Sequence, residues 1–328
     1  MICDGMTQKT TALPHFKTKP TWKGKDELGV HVEGVMVQNR APHLEFSLQN
    51  VRGDGNVLID TVHRAVLREQ SARQSEQKCM PEVFYLQLDN VNTNKSKDLL
   101  AYLSLLVKRG VFKKVKINFL LVGHTHENID QLFSRFSVRL RKEDALTVKV
   151  LMKIAKECFS PAPTCEEIFG QRDWKKYIKP FRGTINDISY NHAFRIKEVD
   201  SKVVMHNKQY AAAQNAGYKV WLSEPVDCLL PQVWPFIPGT PSTHALFPLQ
   251  QKDYDSLCNL QSNLEQRLSM SYVGETKSFW DNQVKFQQNV MNGTETVHLT
   301  TEWPTACTYI QPPGKYGLNV CGFTIIFV

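Results

Sequence analysis

A chain of 328 residues, 42% of them hydrophobic, is long enough for one large domain or two ordinary ones, each with its own core. No stretch approaches the roughly 18 consecutive apolar residues of a membrane span, and the opening MICDGMTQKT lacks the pattern of a signal peptide, so the expectation is an intracellular protein with no membrane association. The net charge of +8 calls for a polyanionic partner, and the eight cysteines, none in a C-x-x-C pair, exclude a zinc ribbon or disulfide scaffold and point to reduced thiols.

Taken in chain order, DELGVHVEGVMVQ (26–38) and HLEFSLQNV (43–51) alternate apolar and polar residues and predict two strands joined as a hairpin through NRAP. NVLIDTVHRAVLREQSAR predicts a helix with Leu58, Val62, Ala65, Val66 and Glu69 at helical spacing. VFYLQLDN (83–90) is a short strand stopping at Asp89. A helix follows with an Asn at its start, a Leu-rich face and Gly110 at its end. KVKINFLLVG is the next buried strand, and it runs straight into GHTHENIDQLFSRF. In that last helix Ile129, Leu132, Phe133, Phe136 and Leu140 form one apolar stripe at about 100° per residue, with Glu127 and Asp130 turned away from it.

Beyond Lys142 the sequence predicts an amphipathic helix over ALTVKVLMKIAKECF and a Pro-rich joint at SPAPTCEE. Two strands around Asp200-Ser201-Lys202, a Pro-rich linker and a helix over YDSLCNLQSNLEQRL come next. The pattern is weak from about Thr276. The expected organisation is a core over 1–150, an accessory α+β region with a β-hairpin over 151–230, and a linker, helix and poorly defined tail over 231–328.

The order of hairpin strands, helix, strand ending in an acid, helix, strand and acid-bearing helix is that of an RNase H-like core. It requires a first strand carrying its own acid, and Asp4 is the candidate. CDGMTQKTTALPHF, LQLDNVNTNKSKDLLAYLSLLV and FLLVGHTHENIDQLFSRFS together resemble an uncharacterised domain family, frequent in mobile-element-derived genes, whose members carry a DGM-Q stretch, a strand ending in Asp before an N-K helix start, and GHTHEDID. That family looks like an RNase H-like, DDE-type transposase or integrase core. The fold class expected is therefore α/β, a mixed sheet flanked by helices with a smaller C-terminal α+β region.

The resemblance implies metal-dependent cleavage or strand transfer on DNA, a nuclear location, and Mg2+ or Mn2+ held by Asp4, Asp89 and Asp130, with Glu127 the fallback third acid. His124, His126 and Asn90 would be auxiliary groups that orient water, phosphate or a carboxylate. Most of the excess charge flanks the motif, so Lys113, Lys114, Lys116, Arg135, Arg139 and Arg141 are the candidate DNA contacts. Two departures weigh against intact catalysis: only three residues precede Asp4, as if the first strand were truncated, and Thr7 stands where the family pattern has an acid.

Plainer readings stand beside these. Asp89 with Asn90 could cap the next helix, Glu127 and Asp130 could complement a helix dipole, and the histidines could be structural. A non-catalytic nucleic-acid-binding or scaffolding relic of a transposase is the second class. Calcineurin-like metallophosphoesterases also carry a Gly-His-x-His after a strand, but they need an Asp-x-His and a Gly-Asn-His that this chain lacks.

Overall fold

The structure, a computed structural model, describes residues 1–6, 8–22, 27–51, 54–91, 93–120, 128–183, 188–208, 239–268 and 272–305, together with the backbone of 222–227. Five strands form the middle of its sheet. β1 (Ile2–Met6) pairs antiparallel with β2 (Val30–Met36) along its whole length and parallel with β4 (Val83–Leu88). β2 pairs antiparallel with β3 (His43–Leu48), and β4 pairs parallel with β5 (Lys114–Phe119). The resulting order β3-β2-β1-β4-β5, a hairpin beside three parallel strands, matches the mixed sheet expected from the sequence. The first strand, expected to be almost absent, is five residues long and fully paired on its β2 side.

Later segments extend both edges. β6 (Thr164–Ile168) runs parallel to β3, in the stretch read from sequence as a joint. On the other side β7 (Ala193–Val199), β8 (Lys202–Lys208) and β9 (Leu222–Asp227) continue antiparallel from β5 and complete nine strands. Asp200 and Ser201 both adopt positive φ, which makes the tight turn between β7 and β8. One sheet therefore crosses the divide expected at residue 150.

After the short α1 (Gln8–Thr11), helices cover both faces. α2 (Gly55–Ser75), α3 (Lys97–Lys108) and α6 (Trp174–Ile178) share one core with the apolar sides of β4, β5, β7 and β8. α3 was expected to bury one Leu-rich face; instead every residue from Leu99 to Val107 is buried, as fits a helix apolar all round and enclosed on all sides. Its neighbours include Trp174 and Trp303, whose rings meet at 5.5 Å, with Tyr102 of α3 4.9 Å from Trp174.

α4 (Asn128–Leu140), α5 (Val148–Glu157), α7 (Gln251–Arg267) and α8 (Gly274–Met291) form the second core, over β1, β2 and β3. α8 lies where the sequence pattern is weak. It is anchored by Trp280, which donates to the Leu146 carbonyl at 3.0 Å, and by Gln287, whose amide exchanges two hydrogen bonds with Asn50. Cys79 is disulfide-bonded, against the expectation of reduced thiols, while Cys3, Cys158, Cys165 and Cys258 are free. No described helix is long and apolar enough to cross a membrane.

Candidate active site

Side chains alternate faces along a strand, so neighbours of known burial fix where an acid points. In β1, Cys3 belongs to the α2–α3 core, whereas Ile2 and Met6 pack with the core under α4; Asp4 therefore lies on the α4 side. In β4, Phe84, Leu86 and Leu88 fill the α3 side, and the alternation carried one residue further puts Asp89 on the α4 side as well. Ile2 is paired with Gln87 and Cys3 with Leu88 across the parallel strands. Asp4 and Asp89 are thus the next positions of the same register, on adjacent strands about 4.8 Å apart.

The third acid arrives on α4. Ile129 and Phe133 press on Gly34, the β2 residue directly paired with Asp4: a Cβ there would meet Phe133 Cζ at 2.8 Å and Ile129 Cδ1 at 3.0 Å. The glycine lets the first turns of α4 settle on the sheet beside Asp4. Asp130 follows Ile129, about 100° around the helix, and is half-buried at the flank of the stripe rather than turned fully out to solvent. The apolar stripe itself is buried as the periodicity requires, at Ile129, Leu132, Phe133, Phe136 and Leu140.

Gly34→Ala should overpack this contact and cost about 1–3 kcal/mol, read as a lower midpoint in chemical denaturation. An unchanged midpoint would mean that α4 does not rest on Gly34.

Asp89 does not cap α3. That role belongs to Ser96, whose hydroxyl accepts from the Leu99 amide, whereas Asp89 accepts from the Asn90 amide at 2.6 Å. Asn90 in turn accepts from Lys95 Nζ at 3.1 Å, and the same ammonium donates to the Ser189 carbonyl. Asp4 accepts from the Gly5 amide at 2.9 Å. His124, His126 and Glu127, and Thr7 of the DGM-Q stretch, lie outside the described residues.

The opposite side of the same strands holds a second acidic group that sequence reasoning missed. Glu33 and Glu45 are direct cross-strand partners, and both lie on the α2 side. Burial would raise Glu45, but Arg64 and Arg68, with a hydrogen bond from Thr61, hold it down to about 2. Glu33 is pushed up to about 8, first by burial and then by Glu45 and Asp4, against the pull of Arg64. Alternating carboxylates on two neighbouring strands were the available signal, VEG against LEF.

Glu33 has a consequence for stability. Between its ordinary 4.5 and about 8 the folded chain keeps a proton that the unfolded chain has lost. Its contribution is complete below pH 4.5 and declines as pH rises towards 8, by up to about 1.4 kcal/mol per pH unit. Glu33→Gln should flatten that decline, gaining on the parent at pH 8 and not at pH 4.5. Denaturation of both proteins across this range tests it, and parallel stability curves would place the proton elsewhere.

Asp4, Asp89 and Asp130 offer oxygen donors from three elements on one face, the donor type Mg2+ or Mn2+ prefers, but their ligand atoms do not all gather within 4.8 Å of one another. Among the described residues His43, Glu45 and Glu166 do come within that distance. There, however, Glu45 already receives Arg64 at 2.6 Å and Arg68 at 3.0 Å, and Arg68 also reaches Glu166 at 3.4 Å. Two guanidinium groups occupy the carboxylate lone pairs and repel a cation, so this cluster is an ion-pair network tying α2 to β3 and β6.

The six predicted DNA contacts are not brought together. Lys114 and Lys116 stand on the α4-side face of β5, the face of Asp4 and Asp89. Lys113 pairs with Glu82. Arg139 pairs with Glu143 and Glu157, Arg135 lies 5.0 Å over the Phe159 ring, and Arg141 is exposed just past the end of α4.

No curated protein and no solved structure matches the chain. A family match covers β2 through β8, and with them Asp89 and Asp130: residues 21–213, more than half of the chain, match the family described as Domain of unknown function (DUF7869), and the chain belongs to that family.

Proposed function

We propose that this chain is a transposase- or integrase-type protein whose core carries out metal-dependent phosphodiester cleavage or strand transfer on DNA. The observation that carries the reading is the placement of Asp4 and Asp89 in one register on adjacent parallel strands, with α4 crossing Gly34 beside them and bringing Asp130. Asp4, Asp89 and Asp130 are the residues that would hold the metal. A bound Mg2+ or Mn2+ pair supplies activation of the attacking oxygen and stabilisation of the leaving one.

The chain's own groups do the remaining work. The Gly5 and Asn90 amides each hold one carboxylate oxygen, of Asp4 and Asp89 respectively. The Lys95 ammonium, held by Asn90 and Ser189, puts a positive charge beside the site where a phosphate would dock. A single sheet, rather than two stacked sheets around a metal centre, favours this reading over a metallophosphoesterase.

Cleavage of end-labelled duplex and branched DNA by the purified chain, with Mg2+, Mn2+ or EDTA, tests the proposal. Metal-dependent product is expected. No product with either ion, together with no metal binding by calorimetry, would leave the non-catalytic binding protein as the better account.

A further inference from the structure

Between α2 and the hairpin of β2 and β3 lies a small cavity whose polar lining is Glu33, Glu45, Ser47, Arg64 and Gln171. Alternation explains the sheet side of that lining. Val32 of β2 and Leu44, Phe46 and Leu48 of β3 fill the core under α4, so Glu33, Glu45 and Ser47 turn towards α2. Gly5, paired with Glu33 across β1, brings no side chain to this side, and a Cβ there would meet Glu33 Oε1 at 3.1 Å. Gln171 closes the cavity from the loop between β6 and α6.

Gln171 is the residue that needs an explanation. It is 3% exposed, and neither its Oε1 nor its Nε2 has a hydrogen-bond partner in the protein. A buried amide left in that state would shift the folding equilibrium against the native chain by roughly 5- to 150-fold. The backbone that carries it is fixed: the Gln171 carbonyl accepts from the His244 amide at 2.8 Å, and Arg172 is bonded to Asp60. The side chain therefore stays beside the cavity.

The other walls restrict what fits there. Glu45 already accepts from Arg64, Arg68 and Thr61, and a cation would meet the Arg64 guanidinium. An anion would meet the Glu45 carboxylate, which Arg64 and Arg68 keep ionised. A small neutral molecule that both donates and accepts suits the Gln171 amide, the Ser47 hydroxyl and a Glu33 carboxyl that keeps its proton at neutral pH. The cavity has room for about one water, and buried water typically makes about three hydrogen bonds to groups of this kind.

We infer that the cavity is a binding site for one ordered water, which joins the Gln171 amide to the Glu33 carboxyl and the Ser47 hydroxyl. The water ties the loop that carries Arg172 and leads into Trp174 to the β2–β3 hairpin. Neither statement depends on what the acids of the other face do.

A high-resolution crystal structure of the full chain should show one solvent peak within about 3.2 Å of the Gln171 amide and of Glu33 or Ser47. Gln171→Met, close in size and apolar, tests the same site in solution, because the sign of its effect depends on the water. With the water bound, the variant strips it of partners, and the folding constant from denaturant unfolding should fall by about 2- to 12-fold. Without it, the variant removes an unsatisfied amide and the constant should rise. Ser47→Ala repeats the test with a smaller change and the same signs. The His244 amide should also exchange its hydrogen faster in Gln171→Met, since the loop it bonds has lost its tie to the sheet.

A folding constant that stays level or rises in both variants overturns the assignment. So does a crystal structure with no peak in the cavity, with a metal ion there, or with the Gln171 amide bonded directly to another protein group. Should Gln171→Met fail to fold, Ser47→Ala and the diffraction decide between these outcomes.

Discussion

Asp89→Asn should abolish Mg2+- or Mn2+-dependent cleavage, a loss of at least about 1000-fold, while the protein folds as before. Lewis-acid stabilisation of a phosphoryl oxygen is worth several kcal/mol, and about 4 kcal/mol corresponds to a thousandfold in rate. The fold should tolerate the change because Asn keeps the oxygen that accepts from the Asn90 amide, and one fewer charge on a face shared with Asp4 and Asp130 relieves repulsion. Asp4→Asn and Asp130→Asn should behave alike. Glu127→Gln should matter less, and His124→Ala or His126→Ala should slow the reaction without removing metal binding. Cleavage kinetics paired with metal titration read all of these. An Asp89→Asn protein that cuts as fast as its parent would sink the site, and histidine variants that lose metal altogether would favour the metallophosphoesterase.

A different large effect is expected at Asp60, which is fully buried on α2. One of its oxygens accepts from Arg172 at 2.9 Å and from the Trp174 indole at 2.8 Å; the other accepts from Arg64 at 2.5 Å and from the Arg172 amide at 3.4 Å. Arg172 reaches onward to the Thr300 carbonyl and the Thr301 hydroxyl. Asp60→Ala would leave a buried guanidinium short of its counter-charge and an indole N–H without an acceptor, at a cost of about 3–5 kcal/mol. Denaturant unfolding measures this, and the tail around Trp303 should become more open to proteolysis. A loss below about 1 kcal/mol would mean that Arg64 and Arg172 find enough compensation elsewhere.

The legible parts of this molecule are those whose residues obey a local period. The Val30–Val32 alternation, the Ile129-to-Leu140 stripe and the Asp-Ser turn between β7 and β8 each belong to one element and can be read from it. Asp4, Asp89 and Asp130 could be proposed because Asp89 ends a strand, Asp130 begins a helix and Asp4 is the acid at the start of the chain, where the fold needs a first strand. The rest depends on partners distant in sequence. α8 buries few apolar residues, and its anchors are an indole bonded to Leu146 and an amide pair with Asn50, which no hydrophobic pattern announces. β6 is a strand because β3 offers it an edge. Gly34 matters only once α4 is seen to press on it.

The basic residues divide the same way. A run of Lys and Arg in sequence suggested one patch over 108–142, but strand alternation and helix rotation scatter that run, and the sheet gathers a different set from β5, β7 and β8.

The pairing of β6 with β3 and of β7 with β5 bears on how this protein can be dissected. A fragment stopped at residue 150 would hold all three candidate acids, yet β3 and β5 would each present a row of unsatisfied backbone amides and carbonyls to solvent. Bare edges of that kind recruit other chains, so the fragment should appear as aggregate or as strand-swapped oligomer rather than as a small active enzyme. The half of the chain that carries none of the candidate acids thus closes both edges that the acid-bearing half would otherwise leave bare.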